Sequence, residues 1–393
     1  MNDTREISRS ITALVLGLDL FYRAEHDGAS GSKLDTEGLV PVHWSLEQPK
    51  PINSWEDALR ELQRCLGDAT TLSDSWARNW LTEYVLSLQT QIRWLSGESL
   101  SYEQVVAGTL RVNPQPPGKR VLEALQHKLE QAFDNAGYSG YADYLERNHV
   151  PAVDVKAVMT GLLAEARQRT EQQLPMLQLP VEPIGVTAVT GVPFTAYCDY
   201  PGQTVWINTD VPHSKAGLKH LVGHEAYPGH YAHMGHRDAL VQSQDMLPDA
   251  ALVVTNTAAS VLFEGIAERG LDFLDWRNDP EDTIAWLHNR LQQLCSLEVA
   301  HALHTGRMTS IEAAEFLRTT CEADDAWIEG RLQFVTHRLR APFIYAYWWG
   351  GSVVGKWWSS TSPSRRDEAL SYLYGKMHSP STLYTHWASG GVL

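Results

Sequence analysis

Apolar residues recur at helical spacing through most of the chain. SWEDALRELQRCLGDA, from Ser54, is amphipathic and begins with a serine able to cap its first turn. GKRVLEALQHKLEQAFDNAG, from Gly118, repeats the pattern. Between them RVNPQPPGK, Arg111 to Lys119, is a proline-rich interruption, either a hinge or a simple loop. No repeat at a solenoid period is evident.

The pattern changes after Leu179. GVTAVTGVPFTAYCDYPGQTVWINTD mixes β-branched and aromatic residues with turn formers, and YPGQ separates two strand-like runs. Helical spacing returns near Ser214, punctuated by an Asp279-Pro280 helix start and a Thr309/Glu312 capping box. This order predicts a mainly α fold with a small β-sheet or hairpin beside the helix that follows it. It also predicts two consecutive lobes, a helical scaffold over 1–180 and a metal-binding catalytic lobe over 181–393.

Composition excludes several partners. The 393 residues are 43% hydrophobic and 20% charged, as in an ordinary globular protein. A formal charge of −15 opposes binding to nucleic acid or anionic membrane, both of which reward Lys and Arg. No apolar run reaches the ~20 residues of a membrane helix. Cys65, Cys198, Cys295 and Cys321 lie too far apart for a CxxC motif and read as buried free thiols. The first residues lack the pattern of a signal peptide, so the expected location is the cytoplasm.

The candidate chemistry lies in KHLVGHEAYPGHYAHMGH, Lys219 to His236. It holds His220, His224, His230, His233 and His236, five of the chain's 16 histidines. An HExxH helix puts its two histidines about 40° apart, within reach of one metal. Here His224 and His230 are six residues apart, about 120° on an unbroken helix. Pro228 and Gly229 lie between them; proline removes a donor and glycine accepts unusual backbone angles. A break there returns His230 to the face of His224 and accounts for the extra residues. His220 and His224, at i and i+4, form an alternative chelate that leaves the Pro-Gly pair unexplained. His233 and His236 read as supporting or exposed residues.

A catalytic zinc takes three protein ligands and keeps one position open. Glu264 is the third candidate, because Ala250 to Phe263 is uncharged, reads as a buried helix, and is followed at once by this carboxylate. Thr257, Ser260, Ala267 and Glu268 share its helical face.

HEAYPGH followed by FEG resembles the domain-of-unknown-function 885 family, with its HEAxPGHH and EGWA pattern, which is similar to gluzincin metallopeptidases. YCDYPGQTVWIN, ending at Asn208, resembles the family strand before the motif. RLRAPFIYAYWWG resembles its Arg…Pro…Tyr-x-x-Gly stretch and places Arg338 or Arg340, Tyr347 and Gly350; KMHSPSTL places His378. The resemblance runs from about Phe194 to the carboxyl end. The chain departs from the pattern at Tyr231, which replaces a histidine, and at EGIAE.

The resemblance implies a helical, gluzincin-like hydrolase of peptide or amide bonds, with Zn2+ on His224, His230 and Glu264. Glu225 is then the general base, and Tyr347, Arg338 or Arg340 steadies an oxyanion or a substrate carboxylate. TVWIN is a candidate for pairing with an extended peptide. The expected partner is a small peptide or amide; no oligomeric state is implied. Two alternatives stay open: the same scaffold acting on a nonpeptide small molecule in specialised metabolism, and a noncatalytic helical protein with a structural metal. Glu225 speaks against the second, since a structural site needs no base and is closed by four protein ligands.

Overall fold

A computed structural model describes residues 2–26 and 37–388. Helix accounts for 67% and strand for 6%, a mainly α fold with small sheets. In chain order the elements are α1 Asn2–His26, β1 Val42–His43, α2 Trp55–Thr70, α3 Ser75–Leu95, α4 Tyr102–Leu110, α5 Lys119–Ala136 and α6 Tyr141–Asn148. There follow β2 His149–Val150, α7 Ala152–Gln173, β3 Gly185–Val189, β4 Ala196–Asp199, β5 Thr204–Asn208, β6 His213–Ser214, α8 Lys215–Glu225 and α9 His230–Gln242. The rest are β7 Leu252–Val253, α10 Ala258–Glu268, α11 Gly270–Phe273, α12 Pro280–His304, α13 Ser310–Thr320, α14 Asp325–Thr336, α15 Ile344–Ser360, α16 Arg366–Gly375 and α17 Pro380–Ala388. None of the described helices is long and apolar enough to cross a membrane.

Local chemistry sets many of these limits. The Ser54 hydroxyl accepts the Asp57 N–H at 3.2 Å and opens α2. Capping boxes open α12, from Asp279 to Asp282, and α13, from Thr309 to Glu312. Gly137, at φ 74°, closes α5 in the left-handed conformation that glycine adopts without penalty.

The chain groups into two compact units. One comprises residues 1–114, 236–263 and 338–393. Its core joins Leu14, Leu18, Leu62, Trp80 and Ile92 to Leu252, Leu339 and Met377. β1 pairs antiparallel with β7, Val42 opposite Val253. The buried Asp249 carboxylate accepts from Ser8 Oγ at 2.6 Å and Trp80 Nε1 at 2.8 Å, tying residues far apart in sequence.

The other unit comprises residues 115–235 and 264–337. In it α12 packs on α5 and α8, and α7 packs on α8 and β3. A three-stranded sheet has the order β3-β5-β4, with β5 parallel to β3 and antiparallel to β4. β2 pairs with β6, from which the chain turns directly into α8.

Three sequence expectations differ from this arrangement. The units are not the consecutive lobes 1–180 and 181–393, because Leu252, Leu339 and Met377 bury themselves in the core built by α1 to α3. Ala250 to Phe263 is not one helix. A short 3-10 turn, the β7 strand and Asn256 at φ 57° precede α10, so the β-branched run pairs as strand before the helix begins. Lastly, TVWIN is the central strand β5; both its edges are occupied, and it offers none to a peptide.

His288 on α12 gives the second unit a pH dependence. Burial pushes its pKa down to about 4, although Nε2 meets the Cys321 carbonyl at 3.0 Å, and its ring stacks on Tyr141 at 3.8 Å. A depressed imidazole is neutral in the fold and protonated in the unfolded chain between about pH 6.5 and 4, so its contribution is complete above that window and is lost as pH falls through it. The expected slope is about 1.4 kcal/mol per pH unit for this group. His288→Gln, which can still donate to Cys321, should lose stability less steeply than wild type in urea unfolding between pH 7 and 4.5; equal slopes would refute the assignment.

Candidate metal centre

The centre is built on a helix break. Ser214 accepts the Gly217 N–H at 3.0 Å and starts α8. The helix runs through buried His220, Val222, Gly223 and His224 to Glu225 and stops at Ala226, whose ψ is −82°. Tyr227-Pro228 is a cis peptide, and α9 restarts at His230. The Ala232 N–H then bonds to the Ala226 carbonyl, six residues back rather than four, at 3.0 Å. Two residues are thus looped out of the helical ladder. His230 reaches the position that i+4 would occupy, its ring centroid 4.7 Å from that of His224.

The break requires glycine. A Cβ on Gly229 would lie 1.9 Å from the His224 carbonyl oxygen and 2.5 Å from that of Gly223. One on Gly270, at the start of α11, would lie 2.6 Å from the Gly223 carbonyl and 3.1 Å from Pro228 Cδ. Backbone approaches backbone here with no room for a side chain.

Glu264 comes from α10. Its Oε2 lies 3.3 Å from His224 Nε2 and 3.6 Å from His230 Nε2, and the three candidate ligand atoms lie within 4.8 Å of one another. All three residues are buried, yet Oε2 meets neither ring in hydrogen-bonding alignment. A buried carboxylate oxygen facing two imidazole nitrogens without a hydrogen bond fits a divalent cation, and two histidines with a carboxylate suit zinc.

One turn further on, Glu268 Oε1 lies 3.2 Å from His224 Nδ1. A metal-binding histidine commonly donates its other ring N–H to a carboxylate, which fixes ring and tautomer. With Nδ1–H directed at Glu268, His224 presents Nε2 to Glu264 and His230.

Electrostatics follow from burial and these pairs. Burial opposes charge on His224, but Glu264 and Glu268 overcome it and raise its pKa well above the usual range. Burial pushes Glu264 upward, and His230 and His224 more than reverse it. Glu268 is likewise lowered despite burial, by His224 and His220. Glu268 therefore favours the proton on His224 Nδ1, and Glu264 favours positive charge at Nε2, the position for which a divalent cation competes. Glu225 is buried and raised by desolvation, partly offset by His224 and His230, and its carboxylate accepts the Cys198 backbone N–H from β4.

The alternative chelate is present too, since His220, His224 and Glu268 also converge within 4.8 Å. Its surroundings disfavour a cation. Asn289 Nδ2 lies 3.0 Å from His220 Nε2, and Arg277 and Arg290 add positive charge that, after burial itself, helps hold His220 down to about 4.

The other residues singled out in the sequence make the following contacts. His233 and His236 are both buried, so neither is the exposed residue that one reading allowed. Tyr231 packs against Tyr227 and Tyr200 and donates to the Glu182 carbonyl at 2.9 Å. Asn208 organises a loop, donating to Val192 O and accepting from Asp210 N. Arg338, Arg340, Tyr347, Gly350 and His378 belong to the first unit. There Arg340 pairs with Glu37 at 2.7 Å and Thr255 Oγ1 at 2.9 Å. Arg338 donates to the Trp94 and Leu95 carbonyls, Tyr347 packs edge-on against Phe343, and His378 Nε2 meets the Tyr372 carbonyl. Glu268 was readable as i+4 from Glu264, though only as a lining residue; nothing in the sequence singled out Asn289.

No family model matches the chain, and no curated protein matches it. Among solved structures it is similar to a "putative lipoprotein" from Colwellia psychrerythraea, at TM-score 0.56 and 15% identity over 86% of this chain and 70% of that one. A second, a "putative lipoprotein of unknown function" from Shewanella oneidensis, aligns at TM-score 0.49 and 15% identity over 86% of this chain and 73% of that one. At 15% identity the first likeness is one of fold.

The glycine requirement is testable. Gly229→Ala should cost about 1–3 kcal/mol or more in urea unfolding, as overpacking does. Gly161→Ala, where a Cβ meets nothing within 4 Å on α7, should stabilise by up to ~1 kcal/mol. A Gly229→Ala protein as stable as wild type would show that the break tolerates a side chain.

Proposed function

We propose that this protein is a zinc-dependent hydrolase of peptide or amide bonds, with His224, His230 and Glu264 holding the metal. The observation that carries the reading is Glu264 Oε2, buried without a hydrogen bond at 3.3 and 3.6 Å from the two Nε2 atoms, beside the HE step of the break. The resemblance of HEAYPGH and FEG to the domain-of-unknown-function 885 family supports the same reaction. A divalent zinc held there supplies Lewis acidity, polarising a scissile carbonyl and acidifying a water.

The remaining steps belong to the chain. Glu225, next in sequence to His224, takes the proton of the attacking water and delivers it to the leaving nitrogen. Its carboxylate is steadied by the Cys198 N–H. Glu268 keeps His224 turned so that Nε2 faces the metal position. The buried walls limit competing water and strengthen each of these charges. No step is routed through Arg338, Arg340 or Tyr347, and the first two already have partners in their own unit. The substrate class is a small peptide or amide. Cys65, Cys198, Cys295 and Cys321 are all unpaired, which suits a reducing compartment such as the cytoplasm.

Metal analysis of the purified protein, with turnover on a peptide and amide library, tests the reading. Wild type should carry about one zinc per chain; His224→Ala, His230→Ala and Glu264→Ala should lose it, and His220→Ala should keep it. An empty His220→Ala protein beside a loaded His230→Ala protein would move the chelate to the other triad.

Glu225→Gln keeps the size of the side chain and removes the base. It should retain zinc and lose ~10²–10⁴-fold in turnover. Wild-type turnover in this variant would remove Glu225 from the mechanism, and loss of zinc would make it a ligand.

A further inference from the structure

The part of the cluster that the reaction leaves unused is the side away from Glu264. There Asn289, on α12, places Nδ2 3.0 Å from His220 Nε2 and 3.3 Å from Glu268 Oε2. An amide nitrogen carries two hydrogens, and these two acceptors take one each. Glu268 is then held at both oxygens, Oε2 by Asn289 and Oε1 by His224 Nδ1 at 3.2 Å. Glu268 and His220 are buried, so each of these bonds is made away from competing water.

We propose that Asn289 is a positioning residue for the metal centre: through Glu268 it holds His224 with Nε2 toward His230 and Glu264, and by occupying His220 Nε2 it keeps that ring from acting as a ligand. The inference rests on the proposed metal site. It explains why two overlapping triads that share His224 are not equivalent. In His220, His224 and Glu268, the His220 lone pair and both Glu268 oxygens already accept hydrogen bonds. In His224, His230 and Glu264, the Glu264 oxygen accepts none. A cation entering the first triad displaces hydrogen bonds already made at His220 Nε2 and Glu268 in a buried place; one entering the second breaks none made by Glu264 Oε2. The difference is set by one amide on a helix 64 residues along the chain from Glu225.

The test uses Asn289→Leu, which keeps the branched shape and has no donors, and two measurements on the full chain. The first is zinc affinity, by competition with a chelator. Loss of an outer partner of a ligand weakens metal binding about 10–100-fold, and that is the expected change. The second is solvent exchange of the His224 Nδ1 proton in protein labelled with ¹⁵N-histidine. In wild type the bond to a fixed Glu268 slows it; in Asn289→Leu it should be faster. A merely structural role for Asn289 would leave this proton unchanged. If Asn289→Leu does not fold, Asn289→Ala, smaller and carrying no donor toward Glu268, gives the same two readouts. Zinc affinity within twofold of wild type together with unchanged exchange overturns the proposal. If wild type binds no zinc the metal reading fails by itself, and the exchange comparison still decides whether Asn289 fixes His224.

Discussion

The hydrogen bond from the Ala232 N–H to the Ala226 carbonyl governs the centre. It closes the backbone over a break that carries two more residues than a helical turn, and so returns His230 to the face of His224. Everything at the break serves that closure. Gly229 lies where the His224 and Gly223 carbonyls leave no space for a Cβ, and Gly270 lets α11 approach the same carbonyl from outside. With a continuous helix the two imidazoles would point about 120° apart, and Glu264 would face one of them at most.

Burying so many ionisable groups together is costly unless each is paired. His224 stands between two carboxylates, Glu264 on one ring nitrogen and Glu268 on the other. Glu268 in turn accepts from Asn289, and Lys219, on α8 with His224, pairs with Asp282 at 2.5 Å where that carboxylate also accepts the Asn278 and Asp279 N–H groups at the start of α12. The site is thereby anchored to α12 at two points, Asp282 and Asn289. Glu264 Oε2 is left facing two imidazole nitrogens without a hydrogen bond, and the chemistry proposed for the protein is located at that atom.

Sequence and structure meet most closely where a signal is local. The caps at Ser54, Asp279 and Thr309, the YPGQ hairpin turn and the break at Pro228-Gly229 each depend on residues within one turn of one another, and each forms where its residues stand. Glu264 was reachable by a related argument, since a lone carboxylate after an uncharged stretch calls for a partner. Glu264 does lie buried beside His224 and His230, although the stretch itself folds as a 3-10 turn, strand β7 and only then helix α10.

What the sequence by itself determined is the mainly α fold, the position of the break and the set of residue types gathered around it, because all of these follow from spacing and from the backbone limits of proline and glycine. Tertiary structure decided which surfaces meet. It placed β5 between β3 and β4, so that no edge of TVWIN is free, and it grouped residues 115–235 with 264–337 rather than with their neighbours in the chain. It gave Glu268 to His224 and Asn289 to Glu268 and His220, whose sequence separations of 44, 21 and 69 residues no periodicity connects. The physical reason is that a hydrogen bond across 3 Å carries no trace in the chain of which distant helix supplies its other half.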